Sequence, residues 1–166
     1  MSKSFDHPDV AVLRRYNPEA SDYLRDMLFG DNLEKRQKWF DFMGSHPAFK
    51  PKYLMSLDEQ RDLAYARIKA VADAKLFSIF DFDNDPINLF TAHEMLGQVD
   101  GSLATKFTVQ NNLFGGSLMA LHTDRHLDFM KRVDSLDVMG CFCFTELGYG
   151  NNAPKMETTA VYDEKT

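Results

Sequence analysis

Residues 140–152 read Gly-Cys-Phe-Cys-Phe-Thr-Glu-Leu-Gly-Tyr-Gly-Asn-Asn, and they mark where the pattern of the chain changes. Cys141 to Thr145 is a short run of apolar and β-favouring residues, the pattern of a strand. It leads directly into one carboxylate, Glu146, and then into two glycines, Gly148 and Gly150, followed by the amides Asn151 and Asn152. A strand that ends this way ends in a loop suited to close backbone approach. A second strand is expected over Glu157–Tyr162, ETTAVY. Two strands alone do not make a stable sheet. The chain is therefore expected to divide into an all-α region, 1–138, and the incomplete start of a β domain, 139–166.

Everything upstream of Met139 is punctuated as helix. Pro18 opens PEASDYLRDMLF, and Asp31-Asn32 can cap LEKRQKWFDFM before Gly44 and Pro47 break the pattern. Ser56-Leu-Asp-Glu59 is a capping box, followed by Ala64, Ile68, Val71, Ala72, Leu76, Ile79 and Phe80 at helical spacing. Asp85-Pro86 reads as N-cap and first helical position of a helix with Leu89, Ala92, Leu96 and Val99 inward. The next helix, about Ser102 to Phe114, is expected to stop at Gly115-Gly116. Thr123-Asp124 can cap a last one with Leu127, Met130 and Val133 inward. The expected architecture is mainly α: a bundle of about six helices, then the first strands of a truncated β domain.

A chain of 166 residues can bury a real core as one domain, roughly 70% of its extended surface. Its two cysteines, Cys141 and Cys143, stand at i, i+2, an unfavourable spacing for a bridge. They read as free thiols of a reducing, intracellular compartment. MSKSFDHPDV has no apolar core and does not resemble a signal peptide. The longest weakly charged run, Gly101 to Leu121, carries Lys106, Gln110, Asn111 and Asn112, which a membrane span would bury at high cost. A net charge of -6, without a basic cluster, argues against nucleic acid as partner.

Gly148-Tyr-Gly-Asn-Asn-Ala153 matches G-x-G-x-x-A after a strand, but only thirteen residues follow Ala153. A dinucleotide-binding unit needs about 30 residues to form its helix and returning strand. A tight hairpin turn is the ordinary reading of such glycines.

Several longer stretches together carry a more specific signal. GCFCFTELGYGNN followed by METTAVYDEKT resembles the flavin loop and adjoining strand of the acyl-CoA oxidases, a branch of the acyl-CoA dehydrogenase superfamily. LGQVDGSLATKFTVQNNLFGGSLMALHTDRH, Leu96 to His126, is similar to the helix pair that precedes that loop, and SLDEQRDLAYARIK to an earlier helix. The likeness runs from about Pro47 to Thr166. Leu147 stands where dehydrogenases of the superfamily usually have proline, which favours the oxidase branch. Tyr149 replaces a histidine common in oxidases, and His122 replaces a common glycine.

The resemblance implies an N-terminal portion of an FAD enzyme in which a helical domain, a central β domain and a C-terminal helical domain enclose the cofactor. It implies that Thr145 hydrogen-bonds the isoalloxazine ring, that Phe144 and Thr145 add backbone contacts, and that Gly148 and Gly150 let the loop approach flavin and thioester. By the same resemblance, Asn151 stands where the superfamily often has a small polar residue near the CoA moiety. The implied reaction is α,β-dehydrogenation of a fatty acyl-CoA in a peroxisome, with O2 reoxidising the flavin to give H2O2, by a homodimer. The family's catalytic base is a glutamate of the C-terminal domain, outside this chain. Glu146 is expected instead to tie the loop to a nearby basic group.

Other polar residues have ordinary readings. His122 and His126 are separated by a helix start, so a shared metal-facing stripe is not expected, and His93-Glu94 lacks the second histidine of a zincin. Lys106, Thr108, Gln110, Asn111 and Asn112 either hydrogen-bond between bundle helices or, by the resemblance, belong to a helix pair lining an acyl-chain tunnel. Two alternatives stay open: a non-catalytic helical interaction module of the same fold, and an acyl-CoA dehydrogenase.

Overall fold

Ser56 starts a helix as its sequence expects: its hydroxyl accepts from the Glu59 N–H at 3.3 Å, and the Glu59 carboxylate accepts from the Ser56 N–H at 2.7 Å. The structure, a computed structural model, describes residues 18–165. The expectation drawn from Met1–Val10 and the first seventeen residues of the α region lie outside them. The elements are α1 (Pro18–Phe29), α2 (Leu33–Ser45), a 3-10 turn (Pro47–Phe49), α3 (Leu57–Asp73), a short α4 (Asp81–Asn84), α5 (Pro86–Gly97) and α6 (Gly101–Phe107). A π-helix (Thr108–Gly115), α7 (Gly116–Leu121), a 3-10 turn (Asp124–His126), α8 (Leu127–Asp134) and a last 3-10 turn (Ala153–Lys155) follow. The fold is mainly helical.

The core is the meeting of inward faces of α2, α3, α5, α6 and α8. Trp39, Ala64, Ile68, Val71, Ala92, Met95, Leu96, Leu103, Phe107, Met130 and Val133 are all buried there. Phe77 and Phe107 meet edge-on at 4.9 Å, a preferred aromatic geometry. Two arginines that the apolar pattern does not announce are buried with this core. Arg36 on α2 pairs with Glu94 on α5 and with Asp31, and Arg67 on α3 pairs with Asp100 at 2.9 Å. His93, next to Glu94, packs edge-on against Phe107 and accepts from the Asn112 amide.

The structure corrects several helix boundaries. The helix from Gly101 does not stop at Gly115-Gly116 but continues as a π segment and then as α7 to Leu121. These glycines serve close packing instead of termination: a Cβ on Gly115 would lie 2.8 Å from Ile79 Cγ2, and one on Gly116 3.1 Å from the Phe82 ring. α3 ends at Asp73, and Lys75 takes φ 52, so Leu76, Ile79 and Phe80 lie beyond the helix. Ile79 is nevertheless fully buried, because Asp134 at the end of α8 accepts from its N–H at 2.8 Å and from the Ser78 hydroxyl at 2.9 Å. Asn32 and Asp85 occupy N-cap positions without capping through their side chains. Asn32 donates to Thr91 Oγ1 at 2.9 Å, and Asp85 pairs with Lys35. Leu127 is exposed, whereas Met130 and Val133 point inward as expected.

The expected strands Cys141–Thr145 and Glu157–Tyr162 are not formed as strands among the described residues. Both stretches are irregular and largely exposed. The sequence period is that of a strand, but a strand exists only when a neighbour accepts its ladder hydrogen bonds. No described helix is long and apolar enough to cross a membrane.

Candidate functional site

The chain leaves the bundle under the control of one buried amide. Gln110, in the π segment, donates through Nε2 to the Val138 carbonyl at 3.2 Å and accepts through Oε1 from the Gly140 N–H at 3.0 Å. Val138 is also tied back to α8 by its N–H to the Arg132 carbonyl at 3.1 Å. Gly140 lies directly on Phe114, where a Cβ would meet ring atoms at 2.3 Å. Gln110 is therefore hydrogen-bonded as a buried amide, but to the segment that follows α8 and not, as expected, to another helix of the bundle. It sets where the loop-bearing segment begins.

Beyond Gly140 the residues alternate in character. Phe142 and Phe144 stack at 5.5 Å and 18°, as side chains two apart on one face of an extended segment do. Cys141 and Cys143 are free, exposed and in contact, Sγ to Sγ at 3.5 Å. Thr145 follows two residues later, exposed, and no hydrogen bond to its hydroxyl is made among the described residues.

The loop then turns on the Tyr149 N–H to Glu146 carbonyl bond, 3.1 Å, and the Asn152 N–H to Tyr149 carbonyl bond, 3.2 Å. Asn151 takes φ 56, a left-handed conformation that asparagine tolerates. Phe144, Thr145, Glu146, Tyr149, Asn151 and Asn152 line a cavity of about 220 Å³ with Ala153 and Met156. Phe144, Thr145 and Asn151 of the expected site residues thus come together. Gly148 and Gly150 are not in its lining, and a Cβ on either would meet no atom within 4 Å.

Glu146 does anchor the loop, but not to a basic group. Its carboxylate accepts from the Glu157 N–H at 2.8 Å, from the Thr158 N–H at 2.6 Å, and from the Thr158 hydroxyl. Tyr149 Oη adds a bond to Glu157 Oε1 at 2.9 Å. Two successive backbone amides and a hydroxyl are enough to hold a carboxylate, so no cation is needed. The pairing of Glu146 with Thr158, and the part played by Tyr149, were not legible in advance, because they depend on how the tail folds back.

The Thr158 hydroxyl, followed by the Glu157 N–H, holds the Glu146 carboxyl below its ordinary value of 4.5. Hydrogen bonds to the ionised form favour that form. A folded pKa below the unfolded one means that this anchoring is fully present above pH 4.5 and is lost as pH falls through the lower, folded value. Amide exchange at Glu157 and Thr158, corrected for its intrinsic rate, is expected to be slowed at neutral pH and to lose that protection in acid. Glu146→Gln should reduce the protection already at neutral pH. Protection independent of both pH and the substitution would contradict the anchor.

A second, more apolar cavity of about 380 Å³ lies against the same exit segment. Tyr65 and Ile68 of α3, Val109 and Gln110 of the π segment, and Leu136 and Met139 contribute to its wall. Lys106 at its edge donates to the Arg61 carbonyl at 3.1 Å, so its charge is turned toward α3. The histidines near Thr123 have local roles: His126 Nδ1 accepts from the Thr123 N–H at 2.9 Å, and His122 Nδ1 donates to the Met119 carbonyl at 2.9 Å.

No protein-family model and no solved structure matches the chain. Among curated proteins, "Acyl-coenzyme A oxidase 2, peroxisomal" of Arabidopsis thaliana is 37% identical over 150 residues, 89% of this chain and 21% of that protein. "Peroxisomal acyl-coenzyme A oxidase 3" of Homo sapiens is 30% identical over 136 residues, 81% of this chain and 19% of its own length. "Acyl-coenzyme A oxidase acox-3" of Caenorhabditis elegans is 32% identical over 122 residues, 73% of this chain and 18% of its own. The chain spans about a fifth of the length of these relatives. Several such proteins from plant, animal and nematode align with most of its residues, and on that ground the chain belongs to the acyl-CoA oxidase family.

Proposed function

We propose that these residues form the helical wall and flavin loop of an FAD-dependent, peroxisomal acyl-CoA oxidase that desaturates a fatty acyl-CoA at the α,β position and passes the electrons to O2, giving H2O2. The observation that carries this reading is the Thr145 hydroxyl, exposed and without a hydrogen-bond partner among the described residues, at the cavity formed by the Glu146-anchored loop. The residues suit a flavin edge: a free hydroxyl beside the Phe144 and Thr145 peptides, an aromatic side chain, and the Asn151 and Asn152 amides. At about 220 Å³ the cavity is smaller than a complete ligand site, which fits one wall of a larger one. When bound, FAD supplies the hydride acceptor for the β carbon and the electron donor for O2.

The chain's own residues position and enclose. Thr145 donates to an acceptor atom at the ring edge. Asn151 lies on the same loop, toward the CoA portion of the substrate. The apolar cavity between α3, the π segment and Met139 takes part of the acyl chain. Glu146 is not the α-proton base, because its carboxylate is engaged by Glu157 and Thr158; the base belongs to a part of the protein outside these 166 residues. The whole enzyme acts as a homodimer. The names of the relatives, all oxidases, support the oxidase branch over a dehydrogenase.

Thr145→Val tests the contact in the flavin-loaded protein that carries this sequence. Losing one hydrogen bond, about 0.5–1.5 kcal/mol net, should weaken FAD binding roughly two- to tenfold and shift the flavin spectrum. Thr145→Ser should be milder, since the hydroxyl remains. Unchanged affinity and spectrum in the valine variant would remove Thr145 from the site.

A further inference from the structure

Cys141 and Cys143 are the chain's only cysteines, and both are exposed with their sulfurs 3.5 Å apart. Their spacing disfavours a bridge in a regular strand, where ladder bonds hold i and i+2 apart. Here no backbone hydrogen bond among the described residues holds 141–145, so the peptide at Phe142 can tilt. The sulfurs need to close by about 1.5 Å to reach bonding distance.

We propose that Cys141 and Cys143 form a peroxide-oxidisable dithiol, a modification site that converts reversibly between two thiols and an intrachain disulfide. One of the two thiolates attacks one oxygen of hydrogen peroxide, the O–O bond breaks, and hydroxide leaves to become water on protonation. That cysteine is then a sulfenic acid. The other sulfur attacks it, the S–O bond breaks, and a second water leaves with the second thiol's proton. Two thiols are oxidised and one peroxide is reduced to two waters.

The contact itself, a hydrogen bond between the two sulfurs and then the nearby Cys141 charge, raises the Cys143 thiol above its ordinary value, and either sulfur can take the first oxygen. The oxidised pair would stand two residues before Thr145, flanking Phe142 and just before Phe144. Peroxide is also the product of the reaction proposed above, but the dithiol chemistry needs only peroxide from any source and does not rest on that reading.

The test is hydrogen peroxide added to the purified 166-residue chain. Expected are loss of both titratable thiols, loss of two hydrogens in mass, a Cys141–Cys143 link within one peptide of a monomer, and full recovery with a dithiol reductant. Cys143→Ser should trap a sulfenic acid on Cys141, and Cys141→Ser one on Cys143, each detected by a dimedone-type probe. Disulfide-linked dimers, or irreversible addition of oxygens to either cysteine without an intrachain link, would overturn the proposal. None of these results bears on whether the flavin loop binds FAD, which the Thr145 variants address.

Discussion

Arg67→Ala is expected to lower the unfolding free energy by about 3–5 kcal/mol, the usual loss when one partner of a buried ion pair is removed. Arg67 is 5% exposed on α3. Its Nε donates to the Ala48 carbonyl at 2.8 Å, its Nη1 to Asp100 Oδ2 at 2.9 Å, and its guanidinium lies 5.9 Å from the Phe49 ring centre. One side chain thus joins α3, the turn Pro47–Phe49 and the start of α6, where Asp100 also caps Ser102 N at 2.8 Å. Deleting it leaves a carbonyl without its donor and a carboxylate without its cation. The Asp100 side chain is 26% exposed, so water compensates in part and the lower end of the range is favoured. Arg67→Met keeps the volume over Phe49 and should be the milder change. Urea unfolding measures both; a loss under about 1 kcal/mol for alanine would show that water already screens the pair.

Gly140→Val is expected to destabilise by about 1–3 kcal/mol, the range for forcing volume into a packed site. The Cβ position lies 2.3 Å from Cγ, Cδ1 and Cε1 of Phe114. Contact at Cγ cannot be relieved by moving only the far end of the ring, and the ring itself sits edge-on to Phe129 at 6.4 Å. Either Phe114 swings out or the exit segment lifts and breaks the Gly140 N–H bond to Gln110. Phe114→Ala in the Gly140→Val background should restore part of the loss, so that the two changes are less than additive. A valine variant as stable as the parent, or strictly additive changes, would contradict the close approach. In a flavin-loaded protein the same variant should also weaken FAD, because Gly140 starts the segment that ends at Thr145.

Much of the bundle was legible in local patterns. The Ser56 capping box, the helix start at Pro86 and the inward Ala92, Leu96, Met130 and Val133 depend only on neighbours three or four residues away. Gly115 and Gly116 misled for a physical reason: a glycine that ends a helix and one that admits Ile79 or Phe82 look alike until the partner's position is known. Arg36 and Arg67 escaped because a buried charge is defined by a distant carboxylate, not by its own place in a periodic pattern. At the loop, the resemblance names Thr145, Phe144 and Asn151, and these three share a cavity. The Glu146 anchor was not legible, since Thr158 lies twelve residues away along an irregular tail. Strand periodicity in Cys141–Thr145 was real, but forming a strand requires a partner that the described residues do not supply.

Peroxide release tests the central claim most directly. The complete protein that carries this sequence, purified with its flavin, is mixed with a medium- or long-chain acyl-CoA in air, and H2O2 and 2,3-unsaturated acyl-CoA are measured together. The account predicts equimolar formation of both, diminished at limiting FAD by Thr145→Val, with no activity from the 166 residues alone. A protein that binds no flavin, or that desaturates acyl-CoA only when an electron-transferring flavoprotein is supplied and gives no peroxide, would contradict it.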